Sequence, residues 1–168
     1  MNLRFRLRLH PDYIRAIMFG TEDALISTTG SIIGISVGIE NKNLILLASL
    51  VYITVEAVSM AAGQFLSERT IHQIYKEKHT DNLYIGSGVM FLSYYLASMI
   101  PLIPFLLLPV KTADFSAIAV AYVALFAIGY VKGKALSVPP TRSGLEMLLI
   151  GGLATLIGVL VGFLLRIA

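Results

Sequence analysis

The sequence predicts an all-α integral membrane protein with five transmembrane helices. Of its 168 residues, 57% are hydrophobic and only 14% are charged, and the mean hydropathy is +0.81. Soluble domains carry roughly a quarter charged residues, so this composition indicates a membrane protein. The charged residues also divide the chain into five apolar segments, most of them near the ~20 residues that a spanning helix needs. We therefore expect a single transmembrane domain over residues 1–168, without a separate soluble domain.

The five helices are expected at about residues 16–39, 43–67, 82–108, 114–132 and 144–166. The apolar run between Asp23 and Glu40 is shorter than the ~20 residues that cross a bilayer. The first helix must therefore start after Arg15, which places Glu22 and Asp23 within or near the membrane. The very short turn at residues 40–43 then makes the first two helices an antiparallel hairpin.

The later segments carry three further local predictions. Prolines between residues 101 and 109 predict that the third helix is kinked or ends early. The fourth segment is barely long enough to span, so Lys132 is expected to extend its side chain towards the membrane surface. Arg142 and Glu146 lie one turn apart near the start of the fifth helix, a spacing that favours an ion pair.

The distribution of Lys and Arg predicts the orientation. Ten of the 13 lie in the N-terminal arm and in the second-to-third and fourth-to-fifth connectors, which five spans place on one side. The positive-inside rule puts that side in the cytosol and the C-terminus outside. The basic N-terminal arm is interpreted as a topology and lipid-contact signal, not as a nucleic-acid site.

The candidate site is a column of three side chains, Asp23, Glu56 and Met60. Inserting a carboxylate at the middle of a membrane helix costs at least about 2.5 kcal/mol of free energy. We therefore expect Glu56 to have an interaction partner. Counted at about 1.5 Å per residue, Asp23 and Met60 lie at similar depths and Glu56 lies about one turn deeper. Neighbours on the same helical faces are candidates to line a path. They are Ser27, Tyr52, Ser59 and Gln64.

Carboxylate oxygen together with thioether sulfur suits a borderline divalent metal such as Fe²⁺ or Mn²⁺, whereas Mg²⁺ and Ca²⁺ prefer oxygen alone. Less specific interpretations stay open. In these interpretations Met60 is apolar filler and Glu56 is a protonated or hydrogen-bonded structural acid. Gly30, Gly34 and Gly38 are then only a packing seam between helices.

A weaker metal signal lies in the connector that follows the second helix. Glu68 and His72 are four residues apart, a spacing that can bring a carboxylate and an imidazole to one metal on a helix. Glu77 and His79 follow in the connector, and together the four residues are a candidate for metal capture from the cytosol. The chain has no cysteine, and all its histidines lie in arms or loops. We therefore do not expect thiolate metal sites or enzyme chemistry.

Two segments carry a family resemblance. IRAIMFGTEDALISTTGSIIG resembles the first-helix motif of the vacuolar iron transporter family, and AVSMAAGQFLSER resembles its second-helix motif. MIPLIPFLLLP and RSGLEMLLIGGLATLIGVLVG look like the third and fifth helices of that family. The resemblance implies a five-helix, usually dimeric transporter that moves Fe²⁺, often also Mn²⁺, out of the cytosol in exchange for protons. It also implies that Asp23 and Met60 are metal-pathway residues.

Three departures from the family pattern bear on the site. Ala24 stands where a glycine usually follows the aspartate. Tyr52 stands where the plant-type transporters have a pathway glutamate, and Glu56 lies one turn further along the same face. The long cytosolic metal-binding insert is absent and is replaced by the short connector at residues 68–82.

The sequence thus predicts a homodimeric exporter of Fe²⁺ or Mn²⁺ in a lipid bilayer, with protons as counter-ions and no bound cofactor. The alternatives are a membrane subunit that does not transport and a transporter of another cation such as Zn²⁺ or the proton. The expected membrane is the inner membrane of a prokaryote or a vacuolar-type membrane of a eukaryote.

Overall fold

The computed structural model describes residues 10–74 and 82–166, and every regular element within them is α-helical. The element bounds are α1 Pro11–Gly38, α2 Lys42–Ile74, α3 Leu83–Leu107, α4 Val110–Ala135 and α5 Pro140–Leu164. Within these residues the prediction of an all-α protein with five helices is confirmed. That all five helices cross a membrane stays a prediction.

Several helix bounds differ from the expected ones, among them the starts of α1, α4 and α5 and the end of α2. α1 begins at Pro11, because proline at the first helical position gives up no intrahelical hydrogen bond. α2 continues to Ile74, seven residues beyond its expected end at residue 67. α3 runs through Pro101 and Pro104 to Leu107, close to its expected end at residue 108. Of the two effects expected of the prolines, the early end does not occur, and the kink stays a prediction. Ending a helix inside lipid would leave backbone groups unpaired, which favours its continuation past proline.

Polar contacts at the two ends of the bundle show that successive helices alternate in direction. One end, called here the N-terminal end, joins the start of α1 to the end of α2, the start of α3 and the end of α4. The contacts there are Arg15–Glu68, Tyr13–Asn82 and Glu22–Lys132. The opposite end joins the end of α1 to the start of α4 and the end of α5, and the start of α2 to the end of α3. Its contacts are Ser36–Asp114, Glu40–Arg166 and Lys42–Leu108.

α1 is the central helix of the bundle. It packs extensively against α3 and α5 and over fewer residues against α4 and α2. α1 and α2 run antiparallel, as expected, but α2 packs mainly on α3. The buried core lies around Ile32, Ile53 and Phe105 in the half towards the opposite end, and around Leu25 and Leu125 in the other half. The contact with α2 is therefore the least extensive that α1 makes with another helix.

The glycines of α1 form a close-packed seam with α5. A Cβ added to Gly30 would lie 2.8 Å from the carbonyl oxygen of Ala154, and one added to Gly34 would lie 2.5 Å from that of Gly158. Gly38 faces Gly162 in the same way. The packing interpretation of these three glycines is confirmed, and their partner is α5.

α2, α3, α4 and α5 are each long and apolar enough to cross a membrane. α1 is 28 residues long but carries Asp12, Arg15, Glu22 and Asp23, and it does not meet the same criterion of composition. Large apolar side chains on the outer faces of α2 and α5 are exposed, among them Val55, Leu149 and Phe163. Exposed apolar surface of this kind suits lipid.

Candidate functional site

The site is built on α1 around Asp23 and Ser27, which lie one turn apart. Both side chains are half-buried. The Ser27 hydroxyl donates to the backbone carbonyl oxygen of Asp23 at 2.7 Å and lies 2.8 Å from the hydroxyl of Tyr94 on α3. Either hydroxyl can be the donor in the second contact.

α2 contributes Tyr52, Glu56 and Met60, which share one face and are half-buried. The Glu56 carboxylate lies close enough to that of Asp23 for the two to interact electrostatically. The Tyr52 hydroxyl lies close enough to that of Tyr94 for the two to interact. Met60 packs against the apolar cluster that contains Ala57 and Tyr94. The structure therefore brings the predicted carboxylates of α1 and α2 into one neighbourhood.

Tyr94 is the site residue that the sequence analysis missed. It is fully buried, and its hydroxyl contacts Ser27 of α1 and interacts with Tyr52 of α2. A buried tyrosine hydroxyl generally has a hydrogen-bond partner, so a tyrosine in the middle of an apolar span is itself a signal of a polar centre. We call the space around Asp23, Ser27, Tyr52, Glu56 and Tyr94 the polar crevice.

The donor set of the polar crevice suits a cation. Two carboxylates held near each other in a medium of low dielectric repel unless a cation or a proton lies between them. The Tyr94 hydroxyl interacts electrostatically with Asp23, and Met60 follows Glu56 by one turn of α2. Oxygen ligands with one soft sulfur are a set that a borderline divalent transition metal accepts.

A groove of about 650 Å³ leads from the polar crevice along the glycine seam. It begins at Ser27 and Tyr52 and reaches Ile39 and Leu165 at the opposite end of the bundle. Between these ends its walls are the glycines of α1 and α5 and apolar side chains.

Two of the other predicted lining residues lie elsewhere. Ser59 is exposed on the surface of α2. Gln64 lies one turn beyond Met60, and its side-chain amide donates to the Glu68 carboxylate at 3.2 Å. Gln64 therefore belongs to the contacts at the N-terminal end, not to the polar crevice.

The weaker metal signal at the end of α2 takes a different form in the structure. The Glu68 side chain is 5% exposed and is ion-paired with Arg15, so its carboxylate is already occupied by a cation. His72 is half-buried in the last turn of α2, while Glu77 and His79 lie outside the described residues. Residues 10–74 and 82–166 contain no group of three or more His, Cys, Asp or Glu that could hold a metal.

Two further polar contacts tie α4 to α1. The Lys132 ammonium lies 2.8 Å from Glu22, so it points to a carboxylate on α1 and not only to the membrane surface. Asp114, which the sequence analysis did not single out, accepts a hydrogen bond of 2.5 Å from Ser36 near the opposite end. On α5 the predicted ion pair of Arg142 with Glu146 is confirmed at 3.0 Å.

Long apolar helices packed around a half-buried pair of carboxylates define a multi-pass membrane protein with a polar centre. Comparison with family models assigns the chain more closely. The model of the VIT family matches residues 14–84 and 81–163, nearly the whole length. The chain belongs to this family, the vacuolar iron transporters, as the resemblance implied, and the family indicates a membrane transporter of metal ions. A comparison with curated proteins finds no match.

Proposed function

We propose that this protein exports Fe²⁺ or Mn²⁺ from the cytosol in exchange for protons. The observation that carries the proposal is the proximity of the Asp23 and Glu56 carboxylates in a half-buried crevice, with Met60 one turn beyond Glu56 on α2. The VIT family match supports metal transport in general. The choice among metals rests on the donor set, because the Met60 sulfur favours a borderline metal over Mg²⁺ or Ca²⁺.

Each residue has a defined part in this mechanism. Asp23 and Glu56 replace water molecules of the hydrated ion and compensate its double charge. Met60 supplies a softer ligand at the level of Asp23. The Tyr94 hydroxyl, through its hydrogen bond with Ser27 and its interaction with Tyr52, helps to hold the walls of the crevice together. Protons arriving from the opposite end compete for the same carboxylates, so their uptake expels the metal and couples the two flows.

The arrangement in the membrane is part of the proposal. Lys and Arg concentrate at the N-terminal end, which we place in the cytosol, and five spans then put the C-terminus outside. We further propose that a second copy covers the open, largely apolar groove beside Gly34 and Gly158, so that the working unit is a homodimer. The membrane would be the inner membrane of a prokaryote or a vacuolar-type membrane.

Metal flux into proteoliposomes with an imposed pH gradient tests the proposal. Wild-type protein should accumulate Fe²⁺ or Mn²⁺ only when the gradient is present. Asp23→Asn removes one negative charge at nearly constant volume and should reduce uptake to the level of empty liposomes. Glu146→Gln, at an exposed ion pair outside the crevice, is the matched control and should transport normally.

The outcomes separate the alternatives. Unchanged uptake by the Asp23→Asn protein contradicts the site, and preferential uptake of Zn²⁺ contradicts the choice of metal. Background flux with every metal tested, from a monodisperse wild-type protein, contradicts transport altogether and favours a membrane subunit that does not transport.

A further inference from the structure

The contact that closes the N-terminal end of the α1–α2 boundary is an ion pair between Arg15 and Glu68. The two side chains differ strongly in exposure, since Arg15 is 60% exposed and Glu68 is 5% exposed. A carboxylate this buried requires a partner, and it has the guanidinium together with the Gln64 amide. The pair therefore joins two helices that otherwise pack loosely.

The two members of the ion pair lie equally far along their helices from the residues of the candidate site. Arg15 precedes Asp23 by eight residues on α1, and Glu68 follows Met60 by eight residues on α2. Eight residues correspond to about 12 Å along a helix. Since α1 and α2 are antiparallel, the ion pair spans their boundary about 12 Å from the metal ligands, on the side of the N-terminal end.

Arg15 also lies near a second carboxylate. Its guanidinium is 4.0 Å from Asp12, which in turn lies 3.0 Å from the His10 ring. The Arg15 guanidinium is thus a fixed positive charge that lies between a carboxylate of α1 and a carboxylate of α2. An ion approaching the crevice along this boundary meets that positive charge before it meets Asp23 or Glu56.

We propose that the Arg15–Glu68 pair is the inner gate of the transport path, with the Arg15 guanidinium as the closing element. While the pair is formed, the crevice is shut towards the N-terminal end. When it separates, Glu68 is released and the α1–α2 boundary opens. The gate regulates the site of the proposed function, but its opening can be measured without any metal.

The absence of cysteine from the chain makes accessibility labelling direct. Met60→Cys places one thiol in the crevice, and its rate of reaction with a membrane-impermeant cationic thiol reagent reports whether water and ions reach it. The reagent is applied from each side of reconstituted vesicles in turn. Protease access to an N-terminal tag identifies the face on which the N-terminus lies.

Removing either partner should open the gate. In the Met60→Cys background, Arg15→Gln or Glu68→Gln should raise the labelling rate from the N-terminal face by about tenfold or more, because loss of one member leaves the other charge unpaired. The charge exchange Arg15→Glu with Glu68→Arg should restore slow labelling. Arg142→Gln, which removes a cation from an exposed pair within α5, should leave the rate unchanged.

Four results would overturn the gate. Two of them concern the controls: the same labelling rate in all variants, and the same increase in rate for Arg142→Gln as for the gate variants. The third is an increase in rate from the other face only. The fourth is fast labelling of a charge-exchanged protein that elutes as a monodisperse species. If the Arg15→Gln protein fails to fold, the labelling rates of the Glu68→Gln protein and of the charge-exchanged protein test the gate. Failure of metal flux together with gated labelling contradicts the proposed function and leaves the gate in place.

Discussion

Replacing Gly34 with alanine tests whether the seam between α1 and α5 holds the bundle together. The added Cβ would lie 2.5 Å from the carbonyl oxygen of Gly158, with that residue's carbonyl carbon at 2.9 Å and its Cα at 3.1 Å. All three are backbone atoms, so no side chain can rotate away. Because ordinary contact begins near 3.4 Å, the two helices must separate locally by about 0.9 Å.

The expected loss of stability follows from the van der Waals contacts that this separation weakens. A gap of about 0.5–1 Å forfeits roughly a quarter to a half of each van der Waals contact across it. Overpacking in a well-packed interior typically costs about 1–3 kcal/mol. We expect about 2 kcal/mol for Gly34→Ala, which for a chain of this size corresponds to a fall in Tm of about 4–8 °C.

Thermal unfolding in detergent, followed by circular dichroism and by gel filtration after heating, measures this effect. Gly88→Ala is the matched control, because a Cβ there meets nothing within 4 Å and only helix propensity changes. The reasoning is refuted if the Gly34→Ala protein melts at or above the temperature of the Gly88→Ala protein.

Two further substitutions probe the crevice and a helix start. Tyr94→Phe removes the hydroxyl between Ser27 and Tyr52, so we expect slower metal flux and a loss of about 1–2 kcal/mol, measured by transport and melting beside the neighbouring control Tyr95→Phe. Equal behaviour of the two variants would contradict a role for the hydroxyl. Asn82→Ala removes the side chain that accepts from two backbone amides at the start of α3, and it should cost about 1 kcal/mol. The same melting assay should show no such loss when Asn43, an exposed residue in the first turn of α2, is replaced by alanine.

Hydropathy and charge predict the number and approximate bounds of the helices because each span must be apolar over a fixed length. The ends are harder to predict, since they depend on partners in other helices. α2 extends to Ile74 partly because Glu68, in its extension, pairs with Arg15 of α1. The course of α3 past Pro101 likewise depends on its burial against neighbouring helices.

The candidate site was predictable in its residue types but not in its assembly. Asp23 and Glu56 stand out as carboxylates in apolar helices, and depth counting places them near one another. Tyr94 does not stand out, because a tyrosine in a membrane helix also occurs at lipid surfaces, and only the fold directs it to Ser27. Glu68 has the spacing of a metal ligand with His72, but spacing within one helix carries no information about an arginine on another.

The glycine seam also determines which parts of the bundle can move. Where two backbones touch without intervening side chains, neither helix can slide or tilt alone, so we expect α1 and α5 to behave as a single rigid body. A rearrangement that exposes Asp23 first to one side and then to the other must then involve movement of α2, which has few contacts with α1. In this protein the carboxylate of α1 would remain stationary, and α2 would carry Glu56 and Met60 towards it and away.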